Sequence, residues 1–215
     1  MTIVLWLCSA RQGAWAGATA AVLFVAVFVL EDVLSPAFNW LSTAASEHAI
    51  GPHGWIQISS FVVTGLLFLA FASGLARELG REGSTLGPRF LAVLGWCLLL
   101  SGPFVADPAP VAVYSREATW HGIVHGILGA IAFTLMPASC FVFYRRFRKD
   151  PRWRPRATWT LAACVVIISA IVLLKIAQLG PLHRLAGLFQ RIVLITFYGW
   201  TFAFAASLGT TQRAV

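Results

Sequence analysis

Two histidines four residues apart, in Trp120-His121-Gly122-Ile123-Val124-His125-Gly126, stand where a long apolar run begins. On a helix this spacing puts both imidazoles on one face, about 6 Å apart along the axis, a separation that suits one metal ion. Two ligands do not complete a site. A third and fourth must come from residues at similar depth, such as His53, Asp107 or Glu31, and a divalent ion such as zinc is what such a set would take. The competing reading is a buried network in which His121 and His125 hydrogen-bond to Asp107, Glu31 or backbone carbonyls. A haem is disfavoured, because its axial ligands lie on opposite sides of its plane and no suitably opposed histidine is evident.

In an acid–base reading, Asp107 or Glu31 is the acid or base, and His121 and His125 carry protons or hold the metal. Asp32, His53, Gln57, Lys175, Gln190 and Arg191 are then the binding residues, each near an end of an apolar run. A charge at the centre of a bilayer costs about 2.5 to 3.5 kcal/mol even on lenient scales, so such residues face a partner or a wet cavity. The plainer alternatives are a snorkelling cation and a structural ion pair.

The elements that must carry these residues follow from composition. The chain is 59% hydrophobic and 11% charged, with a mean hydropathy of +0.79, too apolar for an ordinary water-soluble globule. Crossing the hydrocarbon layer takes about 20 apolar residues per helix, since each backbone polar group must be satisfied within the segment. Six runs qualify: Trp15 to Leu34, Trp55 to Ala76, Phe90 to Ala106, Trp120 to Tyr144, Trp159 to Leu179 and Leu188 to Leu208. The expected fold is all-α, a single bundle of six transmembrane helices over residues 1–215. A β-barrel is excluded because the runs are continuously apolar and far too long.

Residues Met1 to Ala10 lack the basic start of a signal peptide and are expected to be retained. Bulky Leu5-Trp6-Leu7 before Cys8 argues against lipid attachment, and the four dispersed cysteines indicate neither a disulfide framework nor a thiolate metal site.

Basic residues set the orientation. Arg145, Arg146, Arg148, Lys149, Arg152, Arg154 and Arg156 lie between the fourth and fifth runs, and Arg77, Arg81 and Arg89 between the second and third. These connections are expected in the cytoplasm, with both termini, Arg11 and Arg213 beside them, on the same side. The segment from Ser35 to Gly54 has no Lys or Arg and belongs outside. The net charge of +8 therefore reads as topology and attraction to anionic lipid headgroups, not as nucleic-acid binding. So oriented, every candidate catalytic, binding or metal-ligating residue falls near the outer face. Gly122, Gly126 and Ala130 form a small-residue stripe on the fourth run, expected to pack against another helix.

Phe104-Val105-Ala106-Asp107-Pro108, then His121-Gly122-Ile123-Val124-His125, and later Gly187-Leu188-Phe189-Gln190-Arg191 followed by Trp200, resemble the pattern of domain-of-unknown-function family 998, bacterial and archaeal multi-pass membrane proteins. The resemblance runs from the first apolar run to the last. It implies a multi-pass protein of a prokaryotic inner membrane and supplies no activity.

Two functional classes follow. One is a membrane-embedded acid–base or metal-assisted enzyme acting on a lipid-like or isoprenoid substrate. The other is a non-catalytic carrier, receptor or accessory subunit that binds a lipophilic small molecule. A transporter would carry polar residues along a path through the bilayer, and the inner halves of these runs do not.

Overall fold

The computed structural model describes residues 8–35, 38–79, 85–108 and 116–211. Arg81, Arg213 and the first seven residues, which entered the reading of retention and sidedness, lie outside these.

Six α-helices follow one another, with no strand among the described residues: α1 Ala10–Leu34, α2 Trp55–Leu79, α3 Leu86–Ser101, α4 Trp120–Phe147, α5 Ala157–Leu179 and α6 Ala186–Thr211. The first helix starts five residues before the expected run. Ser9 causes this: its hydroxyl accepts the Gln12 N–H at 3.2 Å while the Gln12 side chain accepts the Ser9 N–H at 2.9 Å, a reciprocal cap that hydropathy does not register.

Five of the helices are long and apolar enough to cross a membrane. The exception is α3, whose 16 residues rise roughly 24 Å. The expected third run extended to Ala106, but the helix ends at Ser101. Pro103 has no N–H to carry the ladder on, and residues 102–108 continue without helical structure.

Each helix packs against its neighbours in sequence, and α6 packs back on α1, so the bundle closes as a ring in chain order. Glycines set how tightly the ring closes. A Cβ on Gly13 would meet the Gly74 backbone of α2, and one on Gly65 would meet the Gly95 carbonyl of α3, so these pairs allow close backbone approach. Aromatic side chains fill the centre toward the basic end. Phe68 lies 6.1 Å from Phe197, Phe71 5.9 Å from Phe204, and Phe143 4.8 Å from Phe204. Trp153 seals this end, stacked on Phe147 at 5.3 Å with the guanidinium groups of Arg152 and Arg156 over its ring at 5.5 and 5.1 Å. The same connection is tied to the end of α2: Arg152 pairs with Glu78 at 3.0 Å, and Arg146 donates to the Leu79 carbonyl at 3.0 Å. The described basic residues of the two connections thus share one end of the ring.

Candidate functional site

At the opposite end, the polar residues form two clusters instead of one layer. The first joins α1, the connection from residue 38 to residue 54, and α6. Arg191 grips Asp32 in a two-pronged pair, Nε to Oδ2 at 2.7 Å and Nη2 to Oδ1 at 2.5 Å. Its Nη1 donates to the carbonyls of Thr43 at 2.7 Å and Gly187 at 3.1 Å. His48, on a short 3-10 turn over Ala45–Ala49, donates Nε2–H to Asp32 Oδ1 at 2.8 Å, and its ring stacks on Phe38 at 4.1 Å. The pair is sealed, with 5% of the Arg191 side chain and 12% of the Asp32 side chain exposed. A guanidinium with four of its five N–H groups bonded in this way is held in place, not snorkelling.

Two neighbours complete the clamp. Gln190 accepts the Ala45 N–H through Oε1 at 2.7 Å, and the Leu188 N–H donates to Leu41 at 3.0 Å. A Cβ on Gly187 would strike the backbone carbonyls of Trp40 and Thr43, so only glycine lets the connection lie this close. Gly187, Leu188, Gln190 and Arg191 therefore act together to fasten the α1–α2 connection onto the start of α6.

The second cluster joins the end of α3 to the start of α4. Thr119 caps α4: its hydroxyl accepts the Gly122 N–H at 3.1 Å and donates to Asp107 Oδ1 at 2.6 Å, while its own N–H donates to Asp107 Oδ2 at 2.9 Å. The Thr119 hydroxyl and backbone hold the Asp107 carboxyl below the usual carboxylate range, with the His121 charge adding to them. His121 Nδ1 lies 3.0 Å from the Val105 carbonyl and 3.1 Å from the Thr119 hydroxyl, and His125 Nδ1 lies 2.7 Å from the Phe104 carbonyl. A carbonyl only accepts, so both rings carry the proton on Nδ1 and, when neutral, keep a lone pair on Nε2. Asp107 and His121 thus meet through Thr119, whereas His125 bonds a carbonyl of its own. Its ring stands edge-on to Phe61 of α2 at 5.9 Å.

Of the small-residue stripe on α4, the two ends do not face another helix. Gly122 is buried, and a Cβ there would collide with the Asp107 carboxylate, but Ala130 is exposed. The glycine makes room for the acid.

The other candidate residues divide. His53 is exposed in the connection before α2. Lys175 is exposed on α5 and donates to Gln178 on its own helix at 3.1 Å, so neither it nor His53 joins a cluster. Glu31 and Gln57 are buried, and Glu31 Oε2 and both Gln57 amide atoms have no hydrogen-bond partner among the described residues. Among the described residues no three His, Cys, Asp or Glu side chains stand close enough together to hold one metal ion. Sequence reasoning missed His48, Thr119 and the carbonyls of Thr43, Phe104 and Val105. Thr119 alone had a local signal, a hydroxyl residue immediately before an apolar helix.

A groove of about 420 Å³ runs along the outside of the ring between α1 and α6, walled by Val22, Val25 and Val29 on one side and Ile195, Gly199 and Phe202 on the other. Val29 lies one helical turn from Asp32 and Ile195 one turn from Arg191, so both walls lead to the ion pair.

An all-helical ring with five helices long and apolar enough to span a bilayer defines a multi-pass membrane protein. The chain belongs to the family described as protein of unknown function (DUF998), whose model matches residues 18–207. No curated protein and no solved structure matches it.

Proposed function

We propose that this is a six-span protein of the cell membrane, with both termini in the cytoplasm, that binds an amphipathic, lipid-like molecule at its outer end. The tail lies in the groove between α1 and α6, and the polar head rests against Asp32, Arg191 and His48. The observation that carries this reading is the shared end of the groove: a lipid-facing apolar trough of about 420 Å³ whose two walls both finish at a sealed ion pair. An amphiphile needs this juxtaposition of apolar wall and polar stop. The sidedness rests on the basic residues of the α2–α3 and α4–α5 connections gathering at the other end. In this reading α3 and the irregular residues 102–106 together make the sixth crossing, and Asp107 lies just beyond it.

Binding has more support than catalysis because the carboxylates of both clusters, Asp32 and Asp107, are committed to Arg191, His48 and Thr119. One observation favours an acid–base enzyme: the buried, unbonded Oε2 of Glu31. Its test is Glu31→Gln, which abolishes turnover of a lipid-like substrate on the catalytic reading and leaves lipid retention unchanged on the binding reading. A metal-assisted version would use the Nε2 atoms of His121 and His125 on a divalent ion such as zinc.

Filling the groove tests the proposal. Gly199 is exposed, and a Cβ there meets nothing within 4 Å, so Gly199→Trp occupies the trough without disturbing the core. Native mass spectrometry of protein in mild detergent should show retained amphiphile reduced several-fold in this variant at an unchanged melting temperature. Equal retention would remove the groove from the account.

A further inference from the structure

Six buried polar atoms with no hydrogen-bond partner among the described residues collect along one interface, where α1, α2 and α6 meet: Glu31 Oε2, both Gln57 amide atoms, Ser60 Oγ, Thr64 Oγ1 and Tyr198 Oη. Ser139 Oγ on α4 and Trp153 Nε1 at the basic end are unmet as well and lie outside it. Hydroxyls on helices ordinarily turn back to the carbonyl four residues earlier, as Ser101, Thr134, Thr201 and Ser207 do here. Ser60 and Thr64 do not.

Ring contacts fix the layers. Phe24 of α1 lies 5.6 Å from Phe61 of α2 and stacks on Tyr198 of α6 at 4.6 Å, and Tyr198 meets Phe68 of α2 at 5.8 Å. Gln57, Phe61, Thr64 and Phe68 recur at the spacing of one helix face, so the Thr64 hydroxyl shares a layer with the Tyr198 phenol. Glu31 stands one turn beyond Phe28, and Gln57 one turn before Phe61, in the layer above, roughly 10 Å higher by helical rise. Below Tyr198 the interface is aromatic: Phe68, Phe71, Phe197 and Phe204 are all fully buried.

We propose that this interface holds a blind file of bound water, reaching from Glu31 and Gln57 down to Tyr198 and stopped by the aromatic layer beneath. A donor or acceptor left unmet in an apolar interior is costly, and a buried water making about three hydrogen bonds is what such sites take up. Hydroxyls, an amide and a carboxyl, each donor or acceptor as needed, suit water better than a metal ion. Gln57 and Thr64 are also too far apart along α2 to coordinate one ion together. The consequence is one-sided proton exchange: Glu31 and Tyr198 communicate with the end of the ring that carries Asp32, and the aromatic layer isolates them from the basic end.

X-ray hydroxyl-radical footprinting of the full chain in lipid nanodiscs tests this, because radicals form from water held beside a side chain. Tyr198 and Phe197 are adjacent and equally buried, with 0% exposure. Water in the file makes oxidation of Tyr198 several-fold faster than that of Phe197, and Thr64→Val slows it. Tyr198 oxidised no faster than Phe197 overturns the proposal. Melting temperatures give a second readout. A dry seam gains stability when an unbonded polar atom is removed, so a rise in melting temperature in both Thr64→Val and Tyr198→Phe also overturns it, whereas a fall in both supports it.

Discussion

Arg191 is the residue whose sequence position said most. A permanent charge more than one turn inside an apolar helix needs an anion, and the structure supplies Asp32 on both of its oxygens. Lysine offers no fork, so Arg191→Lys cannot hold both Asp32 oxygens and the Thr43 carbonyl in the geometry that Arg191 does. Its expected cost is on the order of 2 to 5 kcal/mol, read as a fall in melting temperature in detergent; an unchanged temperature would mean that the pair does not hold the fold. Asp107 gives a pH test. A carboxyl held below its ordinary 3.8 in the fold contributes stability at higher pH, and that contribution is lost as pH falls through the folded value. The melting gap between the wild type and Asp107→Asn should therefore be widest near neutral pH and close in acid below the ordinary value. A gap independent of pH would contradict the Thr119–carboxylate arrangement. His48 was not legible in the sequence, because its partner is chosen by how the α1–α2 connection folds over α6, and no local spacing encodes that.

At the scale of elements, two short sets of residues act as fasteners. Gly187 through Arg191 clamp one connection, and Asp107, Thr119, Gly122 and His121 clamp the other. Gly187→Ala should be destabilising by about 1 to 3 kcal/mol, because its Cβ meets main-chain carbonyls that cannot swing aside as a side chain would. Proteolysis within the α1–α2 connection should rise in the same variant, and a connection cut no faster than in the wild type would show that the glycine does not hold it. Helix existence was readable from apolar runs. Helix ends were not: Ser9 lengthened α1 and Pro103 shortened α3, since capping and a missing N–H act locally and leave average hydropathy unchanged. The expected single polar layer became two clusters because depth in the membrane fixes one coordinate only. Position around the ring is set by which helices pack together.

For the whole molecule, the ring in chain order separates a basic end sealed by Trp153 from an end where acids, histidines and Arg191 are fastened to the connections. Sidedness is checked by placing a single cysteine at position 148 in a background free of other cysteines. Arg148→Cys should react with a membrane-impermeant thiol reagent only after cells are opened, and labelling from outside intact cells would invert the topology. The central claim is that the groove between α1 and α6 selects an amphiphile, and photo-crosslinking in native membranes tests it most directly. A photoreactive amino acid at Gly199, in the groove, is compared with one at Val166, which faces outward from the middle of α5. The account predicts a discrete amphiphile adduct at Gly199, identified by mass spectrometry and absent at Val166, where only a spread of bulk lipids is captured; the same bulk mixture at both positions would contradict it.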